Sequence, residues 1–303
     1  MVDSDAVSSS PSPCARPMSP ADVRAAAVVA GDALATAIPV AFLPSSPEEE
    51  RVHLTRRVAR VAHLLETDPD GAWVAEDEDG EVVGVALAIV REGVWGLSLL
   101  GVKPDLQSRG VGRQLLRESL RTLDGCRGGI VLASTDARAM RSYFRAGFKL
   151  VPCVAAAGEV NRARIPSGLK ARPGALEDER DRALIDAASR RARGATHAPD
   201  VETLRAAGSE LLVHDGGGWA MHRDGSPVVL AAHDDAVAAD LLWSCFAGGA
   251  AGGAVHVDFI AHDNDWAIAV ALDMGLSLGT EGPVFVRGEL GTMAPYLPSG
   301  AYL

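Results

Sequence analysis

The sequence predicts an α/β fold on a mixed sheet, present in two tandem copies, and three observations carry that prediction. The chain has 303 residues, about twice the length of an ordinary domain. Its first half orders a hairpin pattern, a strand, a glycine-rich loop, a helix, a strand, a second helix and a strand, the alternation of packed α/β layers. Its second half repeats the first: Ala133–Leu150 (ASTDARAMRSYFRAGFKL) lies without a gap over Ala261–Leu278 (AHDNDWAIAVALDMGLSL). Ala133, Ala139, Gly147 and Leu150 meet Ala261, Ala267, Gly275 and Leu278. Met140, Phe144 and Phe148 meet Ile268, Leu272 and Leu276, so the apolar face is kept.

Residues 1–20 are rich in Ser and Pro and nearly free of large apolar side chains, which predicts a mobile tail outside the fold. The first copy is expected over 21–164. From Ala21 to about Leu65, two Ala- and Val-rich helices flank a break at Pro39–Pro44, and Ser46-Pro47-Glu48-Glu49 reads as a capped helix start. Ala72–Glu76, a turn closing on Asp79-Gly80 and the β-branched run Val82–Val90 make the hairpin. Val94–Val102 is the next strand, and after the loop KPDLQSRG the residues Val111, Leu115, Leu116 and Leu120 recur at helical spacing. Gly129–Ala133 reads as a strand, Asp136–Ala146 as a helix with Ala139, Met140, Tyr143 and Phe144 on one face, and Phe148–Val154 as a last strand. The second copy is expected over 165–303, with helices in Ala183–Leu212 and Trp219–Gly225 as the counterpart of Trp73–Gly80. AHDDAVAADLLWSC, without a glycine, stands in place of the glycine loop.

Composition narrows the function. Apolar types at 48% and charged types at 23% describe a folded globular chain. A net charge of −11 disfavours nucleic acid, whose affinity comes from Lys and Arg displacing counterions. Cys14, Cys126, Cys153 and Cys245 are scattered, with no zinc or disulfide pattern, and His214, His222, His233, His256 and His262 lack metal-ligand spacing. No metal is expected. No secretory leader or membrane-length apolar run is read, so a cytoplasmic protein is expected.

Gln107-Ser108-Arg109-Gly110-Val111-Gly112 sits between a strand and a helix, where backbone N–H groups and the helix dipole make an anion site. It lacks the Lys-Ser/Thr of a P-loop and the third glycine of the dinucleotide fingerprint. The stretch Val102-Lys-Pro104-Asp-Leu-Gln107-Ser-Arg109-Gly110-Val-Gly112 resembles the Q/R-x-x-G-x-G/A signature of the GNAT acetyltransferases, with its preceding V-x-P. Asp136, Ala139, Tyr143, Gly147 and Phe148 occupy the places of a second signature, N-x-x-A-x-x-x-Y-x-x-x-G-F, with Asn changed to Asp. The resemblance covers about Ala21 to Arg164. It implies the acyl-CoA N-acyltransferase (GNAT) fold and acetyl-CoA as co-substrate.

The resemblance further implies a residue-by-residue site. Acetyl-CoA would lie between Val94–Val102 and Gly129–Ala133, with Leu100, Gly101 and Val102 pairing with the pantetheine arm. Amides of Ser108, Arg109, Gly110, Val111, Gly112 and Arg113, beside Gln107, would cradle the pyrophosphate. The Leu100 N–H would hold the oxyanion, and Tyr143 would protonate the leaving thiolate. Asp136 either contacts pantetheine or merely caps its helix. The Glu that serves several members as base is replaced by Gly96, between Trp95 and Leu97. Glu92, acting through water, and Leu303, whose carboxylate end would enter the site, are the candidates to replace it. No cysteine lies near the inferred thioester. The expected activity is transfer of acetyl from acetyl-CoA directly to a primary amine of a small molecule, by a monomer or homodimer; a non-catalytic acyl-CoA sensor is the alternative. The second copy, lacking the glycine loop and with Ala271 in place of the Tyr, is expected to serve structure.

Overall fold

The computed structural model of the chain describes residues 13–35 and 44–303. They fall into two compact units whose limits lie inside strands: one runs to Leu87 and from Leu99 to Arg121, the other takes Ala88–Ser98 and Thr122–Leu303. Among the described residues no helix is long and apolar enough to cross a membrane.

The first unit opens with β1 (Cys14–Pro17), α1 (Val23–Ala35) and α2 (Pro47–Thr67), followed by β2 (Ala72–Glu76) and β3 (Val82–Arg91). Part of the expected tail is therefore a strand. β1 pairs antiparallel with β2, Ala15 opposite Ala75, and the Arg16 guanidinium is bound by Asp22 and Glu76. Residues 1–12 of that tail and most of the expected Pro39–Pro44 break lie outside the described residues. α2 begins as its sequence suggests: the Ser46 hydroxyl accepts from the Glu49 N–H at 3.2 Å and Pro47 takes the first turn. β2 and β3 form the hairpin, Ala72 opposite Leu87. β4 (Val94–Val102) follows, then α3 (Val111–Ser119), whose Val111 and Leu115 pack with Ala75, Val83, Ala86 and Val102 as the core of this unit.

The second unit continues with β5 (Gly128–Leu132), α4 (Ala137–Arg145), β6 (Lys149–Val151), β7 (Cys153–Glu159) and β8 (Arg172–Pro173). Then come α5 (Glu179–Ala192), α6 (Ala198–Ala206), β9 (Glu210–His214), β10 (Gly218–Arg223), β11 (Ser226–Ala232) and α7 (Asp235–Gly248). β12 (Ala254–Ala261), α8 (Asp265–Met274), β13 (Ser277–Thr280), β14 (Val284–Gly288) and β15 (Tyr296–Leu297) complete it. The succession β9 to β14 repeats β2 to β7 element for element. Trp219 lies on β10, the counterpart of β3, so its sequence match to Trp73 of β2 is coincidental. The second copy is shorter in its middle: only His233 and Asp234 join β11 to α7, where Lys103–Gly110 with its 3-10 turn joins β4 to α3, and β10 and β11 have 6 and 7 residues against 10 and 9 in β3 and β4.

The last strands of the two copies change places. Phe148–Val154 is two strands rather than one, because Pro152 has no N–H to continue the ladder. β6 stays in its own sheet. β7 leaves to lie between β12 and β13, with Val255 opposite Gly158 and Leu278 opposite Ala156. β14 makes the reciprocal move and lies between β5 and β6, with Phe285 opposite Val131 and Leu150. A boundary near residue 164 divides the sequence repeat without dividing the sheets. Ala156 of β7 is fully buried in the second-copy core with Val257, Ala267 and Leu276. On α4 Tyr143 alone is buried, while Phe144, expected on the inner face, is 67% exposed.

Phe285 is fully buried, its ring 5.6 Å from that of Tyr143. Phe285→Ala should cost about 3–5 kcal/mol, read as a lower urea midpoint at unchanged slope. A loss below about 1 kcal/mol would show that the exchanged strand contributes little.

Candidate active site

The glycine loop belongs to the first unit. A 3-10 turn at Pro104–Leu106 follows β4, and the Gln107 amide donates to the Val102 carbonyl at 3.3 Å, folding the loop back on the strand that precedes it. Gly110 then takes φ +92° as N-cap of α3, a left-handed conformation that strains any side chain. α3 has no side-chain cap. Its first N–H groups therefore face the loop, with Arg109 and Arg113 exposed beside them, an arrangement suited to a phosphate anion. Gly101 is buried under α1, where a Cβ would stand 3.1 Å from that of Ala33, and Leu100 is half-buried at the edge of the core.

The second unit holds the N-terminal part of β4, paired in parallel with β5 from Val94↔Gly128 to Leu97↔Val131. The register stops there, whereas β4 runs on to Val102. Tyr143 is 6% exposed, and burial together with the Asp136 charge pushes its phenol well above 10. Asp136 caps α4: its carboxylate accepts from the Arg138 N–H at 2.8 Å and pairs with the Arg138 guanidinium, which holds it below the usual carboxylate range. Of the two roles open to it, the structure displays the cap.

The candidate bases are placed plainly. Glu92 is tied to Arg190 at 2.8 Å and to the Thr196 N–H at 3.1 Å, and the Arg190 guanidinium lowers its affinity for a proton. Leu303 is 1% exposed and lies against Gly96, where a Cβ would overlap its Cδ1. Its oxygen accepts from Arg193 at 2.8 Å and faces His197 Nε2 at 2.6 Å. An oxygen held by a buried guanidinium and an imidazole is a poor proton acceptor, so the arrangement disfavours the role of base for Leu303. The same tip is fastened to β4 by the Ser98 hydroxyl, which donates to the Ala301 carbonyl at 2.6 Å.

Sequence reasoning missed the cluster that fastens this tip. Arg193 is 2% exposed and donates to the carbonyls of Tyr302, Leu303, Ala195 and Thr196. His197 is fully buried against the rings of Trp219 and Tyr296. Burial and the Arg193 charge hold His197 neutral, with its affinity for a proton far below the ordinary 6.5. Its Nδ1 has no partner among the described residues. A carbonyl 2.6 Å from Nε2 then requires the proton there. Nearby, the buried pair Arg91–Asp200 closes at 2.8 Å. No spacing in the sequence marks these residues as partners.

Comparison with known proteins agrees with this fold. Residues 68–150 match the acetyltransferase (GNAT) domain family. A putative acetyltransferase from Pyrococcus horikoshii shares the fold at TM-score 0.74 and 19% identity, over 96% of this chain and 96% of that one. A GCN5-related N-acetyltransferase from Sphaerobacter thermophilus is similar at TM-score 0.57 and 15% identity, covering 91% and 95% of the two chains. A tandem GNAT protein from the clavulanic acid biosynthesis pathway gives 0.55 at 15% identity, covering 91% and 98%. No curated protein is significantly similar in sequence.

His197 sets a pH dependence. Its folded-state affinity for a proton is depressed below 6.5, so the unfolded chain binds the extra proton in acid. The stability tied to the neutral ring is present above that pH and lost as pH falls below it, by at most about 1.4 kcal/mol per unit. Urea unfolding between about pH 6.5 and 5 should show a shallower loss in His197→Gln than in wild type. Equal slopes would show that the ring is not held neutral.

Proposed function

We propose, starting from the match of residues 68–150 to the acetyltransferase (GNAT) domain family, that the first copy transfers acetyl from acetyl-CoA directly to the primary amine of a small molecule in a ternary complex. The observation that carries this reading is the glycine loop: a left-handed Gly110 opening a helix without a side-chain cap, flanked by Arg109 and Arg113. Amides of Ser108 to Arg113 would hold the pyrophosphate, and β4 main chain at Leu100, Gly101 and Val102 would hold the pantetheine arm.

In the reaction the amine nitrogen attacks the thioester carbonyl, forming the C–N bond while the C–S bond breaks. The Leu100 N–H would hold the oxyanion. The departing sulfur takes the Tyr143 proton, the amine gives its own proton to water, because neither Glu92 nor Leu303 is arranged to receive it, and the Tyr143 phenolate regains a proton from water. Burial keeps Tyr143 protonated, and dry surroundings raise a thiol as they raise a phenol, which preserves the match between donor and acceptor. The covered position at Gly96 favours one second reading, a protein that binds acyl-CoA as a signal without turning it over.

Tyr143→Phe separates the two. On the enzyme reading kcat falls by about 10²-fold or more, while the dissociation constant for acetyl-CoA changes by less than about twofold. Because the phenol lies above 10 in the folded protein and acts as an acid, the wild-type rate should show no alkaline descent from Tyr143 up to about pH 10. An undiminished rate in Tyr143→Phe would remove Tyr143 from the chemistry.

A further inference from the structure

We infer that the cofactor cleft of the second copy is a filled site whose ligand is the chain's own segment Met293–Leu297, an extended peptide held where the first copy would take a pantetheine arm. The inference rests on the acyl-CoA reading of the first copy and on three equivalent places in the repeat.

The first is the helix start. α3 opens at Gly110 without a side-chain cap, whereas its counterpart α7 opens at Asp234, whose carboxylate accepts from the Val237 N–H at 2.9 Å. An internal carboxylate already occupies the anion site. The second is the strand edge. β4 leaves its partner after Leu97, whereas its counterpart β11 is paired by β15, with Leu230 opposite Leu297 and Ala231 opposite Tyr296, and the Ala232 N–H donates to the Pro295 carbonyl at 3.3 Å. A peptide strand takes the hydrogen bonds that a pantetheine arm would take.

The third is Asn264, which the repeat places over Asp136. It is fully buried and spends its amide on the segment: Nδ2 donates to the Met293 carbonyl at 3.1 Å, and Oδ1 accepts from the Tyr296 N–H at 2.9 Å. Its remaining bonds go to the carbonyls of Ala261 and His262 and to the Trp266 indole, which fix the amide's orientation. An amide that reads one C=O and one N–H of an extended chain is built to recognise amide groups in sequence, which both a peptide and a pantetheine arm supply. The first copy has no such clamp, since Asp136 is turned to its own helix.

The second copy thus anchors a strap. Beyond Leu297 the chain runs to Ala301 and Leu303, held at Ser98 and Gly96 of β4. One acyl-CoA should bind per chain.

Amide hydrogen exchange on the full chain tests this, comparing wild type with Asn264→Ala and Asn264→Asp. Exchange at Tyr296, Leu297 and Leu303 should quicken about tenfold or more in Asn264→Ala, with α5 protection unchanged as the folded reference. Asn264→Asp, which keeps an acceptor for Tyr296 but loses the donor to Met293, should quicken the same amides by less. Unchanged exchange at those amides with α5 intact in both variants would overturn the inference. Calorimetric titration of wild type with acetyl-CoA should give one site, and two sites would also overturn it. No binding at all would count against the acyl-CoA reading of the first copy, and the exchange result would still decide whether the strap is clamped.

Discussion

Main-chain pairing of β14 between β5 and β6 is the constraint on which the rest of the second unit depends. Val284–Gly288 satisfies the edge of β5 from Leu132 to Gly128, main chain that would otherwise stand unpaired in the interior, and carries the exposed strand β6 at Lys149–Val151 on its other side. The reciprocal placement of β7 does the same for β12 and β13. Neither copy can complete its sheet from its own sequence, so a repeat that looks divisible near residue 164 folds as an interlocked pair. The same strand places Phe285 beneath Tyr143, setting the rigid wall against which the candidate acid is held.

The exchange also determines where the chain goes next. After β14 the Glu289 N–H bonds to Arg127, the Thr292 and Met293 N–H groups bond to Arg191 and Ala192, and Asn264 takes over at Met293 and Tyr296. Each step fastens main chain to an element already fixed, and the path ends against β4. Polar groups at its end are buried at some expense, since a lone guanidinium and a neutral imidazole are both costly to remove from water. Arg193 is satisfied by four carbonyls, and His197 places its one N–H on the Leu303 oxygen. In this account the second copy has kept the architecture of a ligand site and filled it with peptide.

Much of the fold was legible in the sequence. β2 and β4 fall within the limits that β-branched runs and turn residues suggested, the Ser46 cap forms, and the repeat marked α8 and β13 as copies of α4 and β6. What escaped was chiefly partnership. Alternation shows that a segment is a strand but is silent about which sheet it joins, and so Phe148–Val154 reads as one strand of its own copy although its end opens β7 in the other sheet. Cys14–Pro17 reads as tail because its hold on β2, main-chain pairing joined by Arg16 reaching Asp22 and Glu76, is a tertiary contact that composition does not register. Asn264 was visible in the alignment opposite Asp136, yet its use became evident only once Met293 and Tyr296 stood beside it. Arg193 and His197 carried no signal at all, since buried polar residues far apart in sequence look like any others.

Amine-dependent release of thiol from acetyl-CoA by the wild-type chain, across a panel of small-molecule primary amines, tests the central claim most directly. The account predicts release that requires both an amine and acetyl-CoA, with one acetylated amine formed per thiol. Acetyl-CoA bound by the protein with no thiol released in the presence of any amine would contradict it and favour the acyl-CoA sensor.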